Sequence, residues 1–184
     1  FDNVGSLPCN TSIGGPAKGI IVREIDALGG QMPKTADKTY LQMKMLNTAK
    51  GPGVQSLRAQ ADKKVYPRYM QEVLKKQENL DIIEGMVEDL IVEDNCVKGV
   101  ILDNGQTIEG RMVILTTGTY LKAEILCGDQ KHASGPDQQK ESKYLSEKLA
   151  NLGMRIQRLK TGTPPRVEIN SVDYSKTSLQ PDRK

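Results

Sequence analysis

Cys9 is the residue of this sequence best suited to nucleophilic chemistry. It stands in Leu7-Pro8-Cys9-Asn10-Thr11-Ser12-Ile13-Gly14-Gly15, ahead of a segment with helical periodicity. A thiol just before the amino end of a helix has its thiolate favoured by oriented N–H groups and the helix dipole. Lys18, one turn into that helix, adds positive charge. Spacing alone leaves a second reading open, a small residue packed in a loop. Gly14, Gly15, Lys18 and Gly19 look like a phosphate loop, but they follow no predicted strand and fit neither GxGxxG nor GxxxxGK[ST]. Thr116-Thr117-Gly118-Thr119 follows the apolar run Met112-Val113-Ile114-Leu115. Small residues at the carboxyl end of a buried strand let a cofactor approach the backbone, where open α/β sheets bind ligands. An ordinary tight strand exit is the alternative. In Lys160-Thr161-Gly162-Thr163-Pro164-Pro165-Arg166 a rigid loop holds cations and hydroxyls together, which suits phosphate, whether of RNA or of a cofactor. Further basic residues cluster at Lys44, Lys50, Arg58, Lys63, Lys64 and Arg68, and at Arg155 and Arg158. His132, the single histidine, has no evident Ser or Asp partner and is assigned no catalytic role.

The elements that must position these groups follow from periodicity. Residues 1–15 are rich in turn formers and read as a loop. Ala17, Ile20, Ile21, Ile25 and Leu28 recur at helical spacing, with Pro16 suited to the first turn and Gly29-Gly30 to the end. A second loop at Lys50-Gly51-Pro52-Gly53 leads into a helical stretch over 54–77, which Pro67 should kink or interrupt. A short strand is expected at 80–84. Segments 86–93, 97–103 and 107–109, joined by Asp94-Asn95 and Asn104-Gly105, read as a three-stranded antiparallel meander. The chain then returns through a buried strand at 112–115. Residues 128–141 read as an exposed loop, 142–152 as an amphipathic helix ended by Gly153, and 154–159 as a strand. The tail beyond Arg166 has little periodicity.

Composition narrows the classes. A chain of 184 residues is long enough for one domain with a core. With no tryptophan and one phenylalanine, that core must come mainly from Ile, Val, Leu and Met. Lys+Arg 26 against Asp+Glu 23 gives a net charge of +3, too small to argue nucleic-acid binding, so charge has to be read locally. Cys9, Cys96 and Cys127 form no CxxC pair, which argues against a zinc site or a disulfide framework. No signal peptide and no membrane-length apolar run is visible, so a cytoplasmic protein away from membranes is expected.

Three phrases carry a resemblance: CNTSIGGPAKGIIVREIDALGG at 9–30, LNTAKGPGVQSLRAQADKKVY at 46–66 and RLKTGTPPRV at 158–167. Together they resemble the tRNA uridine 5-carboxymethylaminomethyl modification enzyme family, MnmG or GidA, and the similarity covers essentially the whole chain. The resemblance implies an α/β fold: a fragment of a Rossmann-type FAD-binding domain with a three-stranded β-meander. The three segments of this partial domain are 1–79 with the cysteine and basic motifs, 80–122 with the meander and cofactor-side turn, and 123–184 with the loop, helix and KTGTPPR phrase. The family's amino-terminal strand and GxGxxG-type phosphate loop are missing here, as are its second cysteine, NADH-binding insert and GTPase-docking helices.

The resemblance also implies chemistry. Such enzymes work with an MnmE-type GTPase, as homodimers, to modify C5 of the wobble uridine in tRNA. They use FAD, with NADH as reductant and methylenetetrahydrofolate as carbon donor. Cys9 matches the family's loop cysteine and is the candidate catalytic nucleophile. Val87, Thr117, Gly118, Thr119 and Ser142 match FAD contacts, and Lys18, Lys50, Arg58, Lys160 and Arg166 match motif positions suited to tRNA or cofactor phosphates. Gln55 stands where the family often has arginine, and Thr11-Ser12 where Pro-Ala is more usual. The rival readings are a related folate- and FAD-dependent tRNA uridine methyltransferase and a noncatalytic tRNA-binding fragment.

Overall fold

In the computed structural model, residues 1–180 are described, and positions 181–184 of the last predicted segment lie outside them. The chain divides into two compact units, one made of 1–81 with 162–184 and the other of 82–161.

The first unit is built on β1 (Ser12–Gly14), β2 (Tyr40–Leu46) and β3 (Ser56–Ala61), an antiparallel sheet in the order β1-β3-β2. Its helices are α1 (Lys18–Ala27), α2 (Gln31–Thr39) and α3 (Val65–Lys75). The first predicted helix is therefore present, and the Gly30 N–H closes its end on the Ile25 carbonyl at 2.8 Å. The second is a correction. The first part of the stretch 54–77 holds β3, the central strand, and the helix α3 starts only at Val65, because hydrogen bonds to β1 and β2 on both sides outweigh the helical propensity of Leu57-Arg58-Ala59-Gln60-Ala61. Pro67 does not kink α3, since it falls in the first turn, where a missing N–H costs nothing.

Register sorts the two faces of this sheet. Ile13, Ala59 and Met43 stand opposite one another on one face, while Gly14, Arg58 and Lys44 share the other with Ser12, Gln60 and Gln42. The core gathers Ile13, Ala36, Ala61 and Tyr66, with Leu7, Val22 and Met70 packed against it. Alanines and a tyrosine thus fill places expected for larger aliphatics, and burial pushes the Tyr66 phenol up. Gly14 allows the tight approach of β1 to β3. At φ +116° a Cβ there would lie 2.2 Å from the Leu57 carbonyl oxygen.

The second unit contains the expected meander, β4 (Val87–Glu93), β5 (Cys96–Leu102) and β6 (Thr107–Glu109), in the order β4-β5-β6. Asp94 and Asn95 both take positive φ, the geometry that a two-residue hairpin turn requires. The loop expected at 128–141 instead holds half of a hairpin, β7 (Glu124–Cys127) paired with β8 (Gln130–Ala133), followed by a 3-10 turn at Pro136–Gln138. The later helix is α4 (Leu145–Asn151), which buries Leu145 and Leu149 and is tied to β4 by Lys148 and Asp89 at 2.8 Å. Strands expected at 80–84, 112–115 and 154–159 are not formed. A strand needs a neighbour for its backbone groups, and these segments have no ladder partner among the described residues. Met112 and Ile114 are each 86% exposed.

Candidate functional site

Cys9 lies half-buried in the loop leading to β1. The sequence placed it just before a helix, but β1 intervenes and α1 begins only at Lys18. The thiol is therefore positioned by a strand rather than by a helix terminus. Several contacts hold its loop. The Asn10 side chain accepts from the Ser12 N–H at 2.8 Å, and the Arg166 guanidinium donates to the Pro8 carbonyl at 3.4 Å. The Gln60 amide donates to the Thr11 hydroxyl, and the Ser12 hydroxyl donates to the Gln60 carbonyl oxygen at 2.8 Å. Gln60 thus clamps the two positions where this chain departs from the family's usual Pro-Ala. Sequence reasoning missed Gln60, and no local signal marks it, because its partners lie nearly fifty residues away.

The basic candidates of this unit fall into two places. Arg58 stands directly between Gly14 and Lys44 in the sheet register, so two cations share one face. Lys18 turns back onto the same edge and donates to the Ser12 carbonyl at 3.1 Å. Arg166 joins them at the Cys9 loop. Lys44 also donates to the Gln180 side chain at 2.7 Å, so the tail reaches this polar face. Lys50 stands apart in the exposed loop after β2, where the Gln55 amide donates to its carbonyl at 3.3 Å. Gln55 therefore closes the loop from a position where arginine was expected to bind phosphate.

In the second unit, Val87 and Ser142 come together. Ser142 is 6% exposed, and its hydroxyl donates to the Val87 carbonyl at 3.5 Å, the outer limit of a hydrogen bond. The 117–119 turn is drawn to the same place. Tyr120 N–H closes the turn on the Thr117 carbonyl at 3.3 Å, the Ser142 N–H donates to the Tyr120 carbonyl at 2.9 Å, and the Lys122 N–H donates to the Ser142 carbonyl at 2.7 Å. The sequence expected this turn after a buried strand, whereas here it is anchored by a parallel bridge between Leu121 and Ser142. Gly118 and Thr119 are both exposed. The neighbours of both anchor residues (Met86, Glu88, Glu141 and Lys143) line a cleft of about 490 Å³. Lys160 lies exposed at the end of this unit, while Arg158 donates to the Lys122 carbonyl at 2.8 Å.

Electrostatics in this unit is local. Burial pushes the Asp89 carboxyl up, but the Lys148 ammonium and the Leu90 N–H outweigh it and hold it below the usual carboxylate range. The Lys140 ammonium beside Asp103 does the same there at 2.7 Å. Both pairs tie segments of this unit together, and Lys140 also lines the cleft. Among the described residues, no cluster of three His, Cys, Asp or Glu could hold a metal, and no helix is long and apolar enough to cross a membrane. His132 is exposed on β8, beside Gln130.

Comparison with known proteins bears on the whole chain. The family profile described as glucose inhibited division protein A matches residues 1–184. The tRNA uridine 5-carboxymethylaminomethyl modification enzyme MnmG of Geobacillus kaustophilus is 57% identical over all 184 residues, which span 29% of its length. The enzyme of the same name from Acholeplasma laidlawii is 57% identical over 178 residues, again 29% of its length. Among solved structures, Aquifex aeolicus GidA superposes with a TM-score of 0.90 at 46% identity, covering 99% of this chain and 30% of that one. The small antiparallel sheets and four helices described above are thus a piece of that α/β fold, and the chain belongs to the glucose inhibited division protein A family.

Proposed function

We propose that this chain is part of a flavin-dependent tRNA-modifying enzyme that adds a carboxymethylaminomethyl-type group to C5 of the wobble uridine, with an MnmE-type GTPase as partner. The observation that carries this reading is the 57% identity to the Geobacillus modification enzyme over the entire chain. NADH as reductant, methylenetetrahydrofolate as carbon source, a homodimer and a cytoplasmic location belong to the same reading.

The residues fit one end of FAD. The turn, exposed at Gly118 and Thr119, offers hydrogen-bonding groups, and Val87 and Ser142 set a strand edge and a buried hydroxyl beside it. Val87, Thr117, Gly118, Thr119 and Ser142 would hold the cofactor there, and when bound it supplies the electron-transfer chemistry. The turn from β1 into α1 carries Gly14 and Gly15 but does not follow the GxGxxG pattern of a pyrophosphate loop, and no other strand-to-helix turn among the described residues does.

Cys9 acts on the uracil. Its thiolate adds to C6, and the C5–C6 π electrons move to C5 and the C4 carbonyl, which makes C5 nucleophilic. C5 would then bond to an electrophilic one-carbon unit whose C=N π electrons pass to its nitrogen, and loss of the C5 proton would expel the thiolate from C6. Lys18, Lys50, Arg58, Lys160 and Arg166 neutralise phosphate oxygens of the tRNA or the cofactor.

The test uses a protein that carries this segment at the relatives' full length. It is expected to retain a flavin absorption band after excess FAD is removed, and to restore the modified nucleoside in tRNA from a deficient strain. A colourless protein that restores nothing would overturn the proposal. A methylated uridine in place of the carboxymethylaminomethyl nucleoside would move the assignment to the related methyltransferases.

A further inference from the structure

We propose that Tyr120 is a positioning residue for the cofactor, one that fastens the 117–119 turn to the 134–139 loop and to Ser142 so that all three present one preformed edge. The inference rests on the FAD reading above and extends it to a side chain that touches the turn from behind.

Four contacts converge on Tyr120. Its N–H closes the turn on Thr117, and its carbonyl accepts from the Ser142 N–H at 2.9 Å. Its phenol donates to the Gln139 side chain at 2.5 Å. Its ring lies between two glycines. A Cβ built on Gly135 would stand 2.8 Å from one ring carbon, and a Cβ on Gly118 would stand 3.6 Å from the opposite edge. No larger residue fits at 135 without displacing the ring.

The loop that receives the phenol is itself closed. The Gly135 N–H donates to the Gln139 carbonyl at 2.8 Å, and the Ser134 hydroxyl donates to the Gly135 carbonyl at 2.9 Å. Asp137 and Gln138 are held at φ +51° and +62°, a costly conformation for residues with a Cβ. Ser134, Gln138 and Gln139 line the 490 Å³ cleft. Tyr120 therefore links the turn's exposed backbone to the wall of that cleft, and a turn fixed before binding spares the cofactor the entropy of ordering it.

The experiment compares Tyr120→Ala, Tyr120→Phe and Gly135→Ala with the unsubstituted protein at the relatives' full length. The readouts are FAD affinity by flavin fluorescence and amide hydrogen exchange. Tyr120→Ala is expected to weaken FAD at least about tenfold. Tyr120→Phe, which loses one hydrogen bond, should weaken it about fivefold. Gly135→Ala should behave like Tyr120→Ala although the hydroxyl is kept. Exchange at the Lys122 and Ser142 amides should accelerate in Tyr120→Ala, while the meander amides of Leu102 and Gly110 keep their protection and show the unit still folded. Unchanged exchange at Lys122 and Ser142 overturns the proposal. So does faster exchange with unchanged FAD affinity, which would make the contacts merely structural. An unsubstituted protein that takes up no flavin sinks the FAD reading itself, an outcome distinct from variants that bind as well as their parent.

Discussion

At the scale of single residues, the two candidate centres are built in opposite ways. Cys9 is held through its neighbours: Asn10, Gln60 and Arg166 bond the backbone and hydroxyls around it, and no hydrogen bond among the described residues engages the sulfur. That is the arrangement a nucleophile needs, since the loop is fixed while the thiol stays available. In the reading proposed above, Cys9→Ser at the relatives' full length should abolish uridine modification with the flavin spectrum unchanged. Nucleoside analysis and absorbance on the same preparation check both halves, and unchanged activity would return Cys9 to a packing role. Ser142 is instead buried, with its hydroxyl turned onto the Val87 carbonyl. Ser142→Ala removes that weak bond but leaves the backbone bonds to Tyr120 and Lys122, so FAD affinity should fall only about fivefold, the equivalent of about 1 kcal/mol. A flavin titration of the variant measures it. The individual site residues were legible only through the family phrases. No periodicity could have paired residue 87 with residue 142, or residue 166 with residue 8, because such contacts depend on chain reversals between them.

Elements were legible where local chemistry decides. The meander could be read because its turn residues, Asp94-Asn95 and Asn104-Gly105, dictate hairpins whatever lies elsewhere. The strand β3 could not, because Leu57, Arg58, Ala59, Gln60 and Ala61 favour a helix in isolation and become a strand only between β1 and β2. The neighbouring α2 and β2 were missed for the same reason: Thr39 and Tyr40 carry no stop signal, and the switch is enforced by packing. Just beyond β3, Asp62 starts α3, its carboxylate accepting the Lys64 N–H at 2.7 Å and the Val65 N–H at 2.9 Å. The Val65 N–H, then the Lys64 N–H, hold the Asp62 carboxyl below its usual range. A carboxyl lowered in the folded state stabilises the fold at every pH above its unfolded value. That contribution is lost as pH falls through the lowered folded value. Asp62→Ala should therefore melt at lower temperature than the parent near neutral pH, with the gap closing as both are acidified below the carboxylate range. Circular dichroism melts across that range follow it, and a gap that stayed constant would show that the cap is not electrostatic.

At the scale of the whole molecule, a net charge of +3 says little about RNA, yet the sheet register concentrates what charge there is. Arg58 and Lys44 face the same way on adjacent strands, Lys18 folds onto the same edge, and Arg166 reaches the loop that carries Cys9. Two like charges directly opposite each other destabilise a sheet, so an anion that spans them relieves a cost the fold already bears. Phosphates of an RNA backbone supply such anions. Each contact that is made releases counterions, so affinity falls with salt in proportion to the number of phosphates held. In the reading proposed above, Arg58→Ala should weaken tRNA binding and flatten the plot of log affinity against log salt by roughly 0.7 to 0.9, the contribution of about one phosphate. Lys63→Ala, on the segment between β3 and α3 and outside the paired register, should leave the slope nearly unchanged. Filter binding at several salt concentrations distinguishes the cases. Equal slopes for the parent and Arg58→Ala would mean that Arg58 does not meet a phosphate of the RNA.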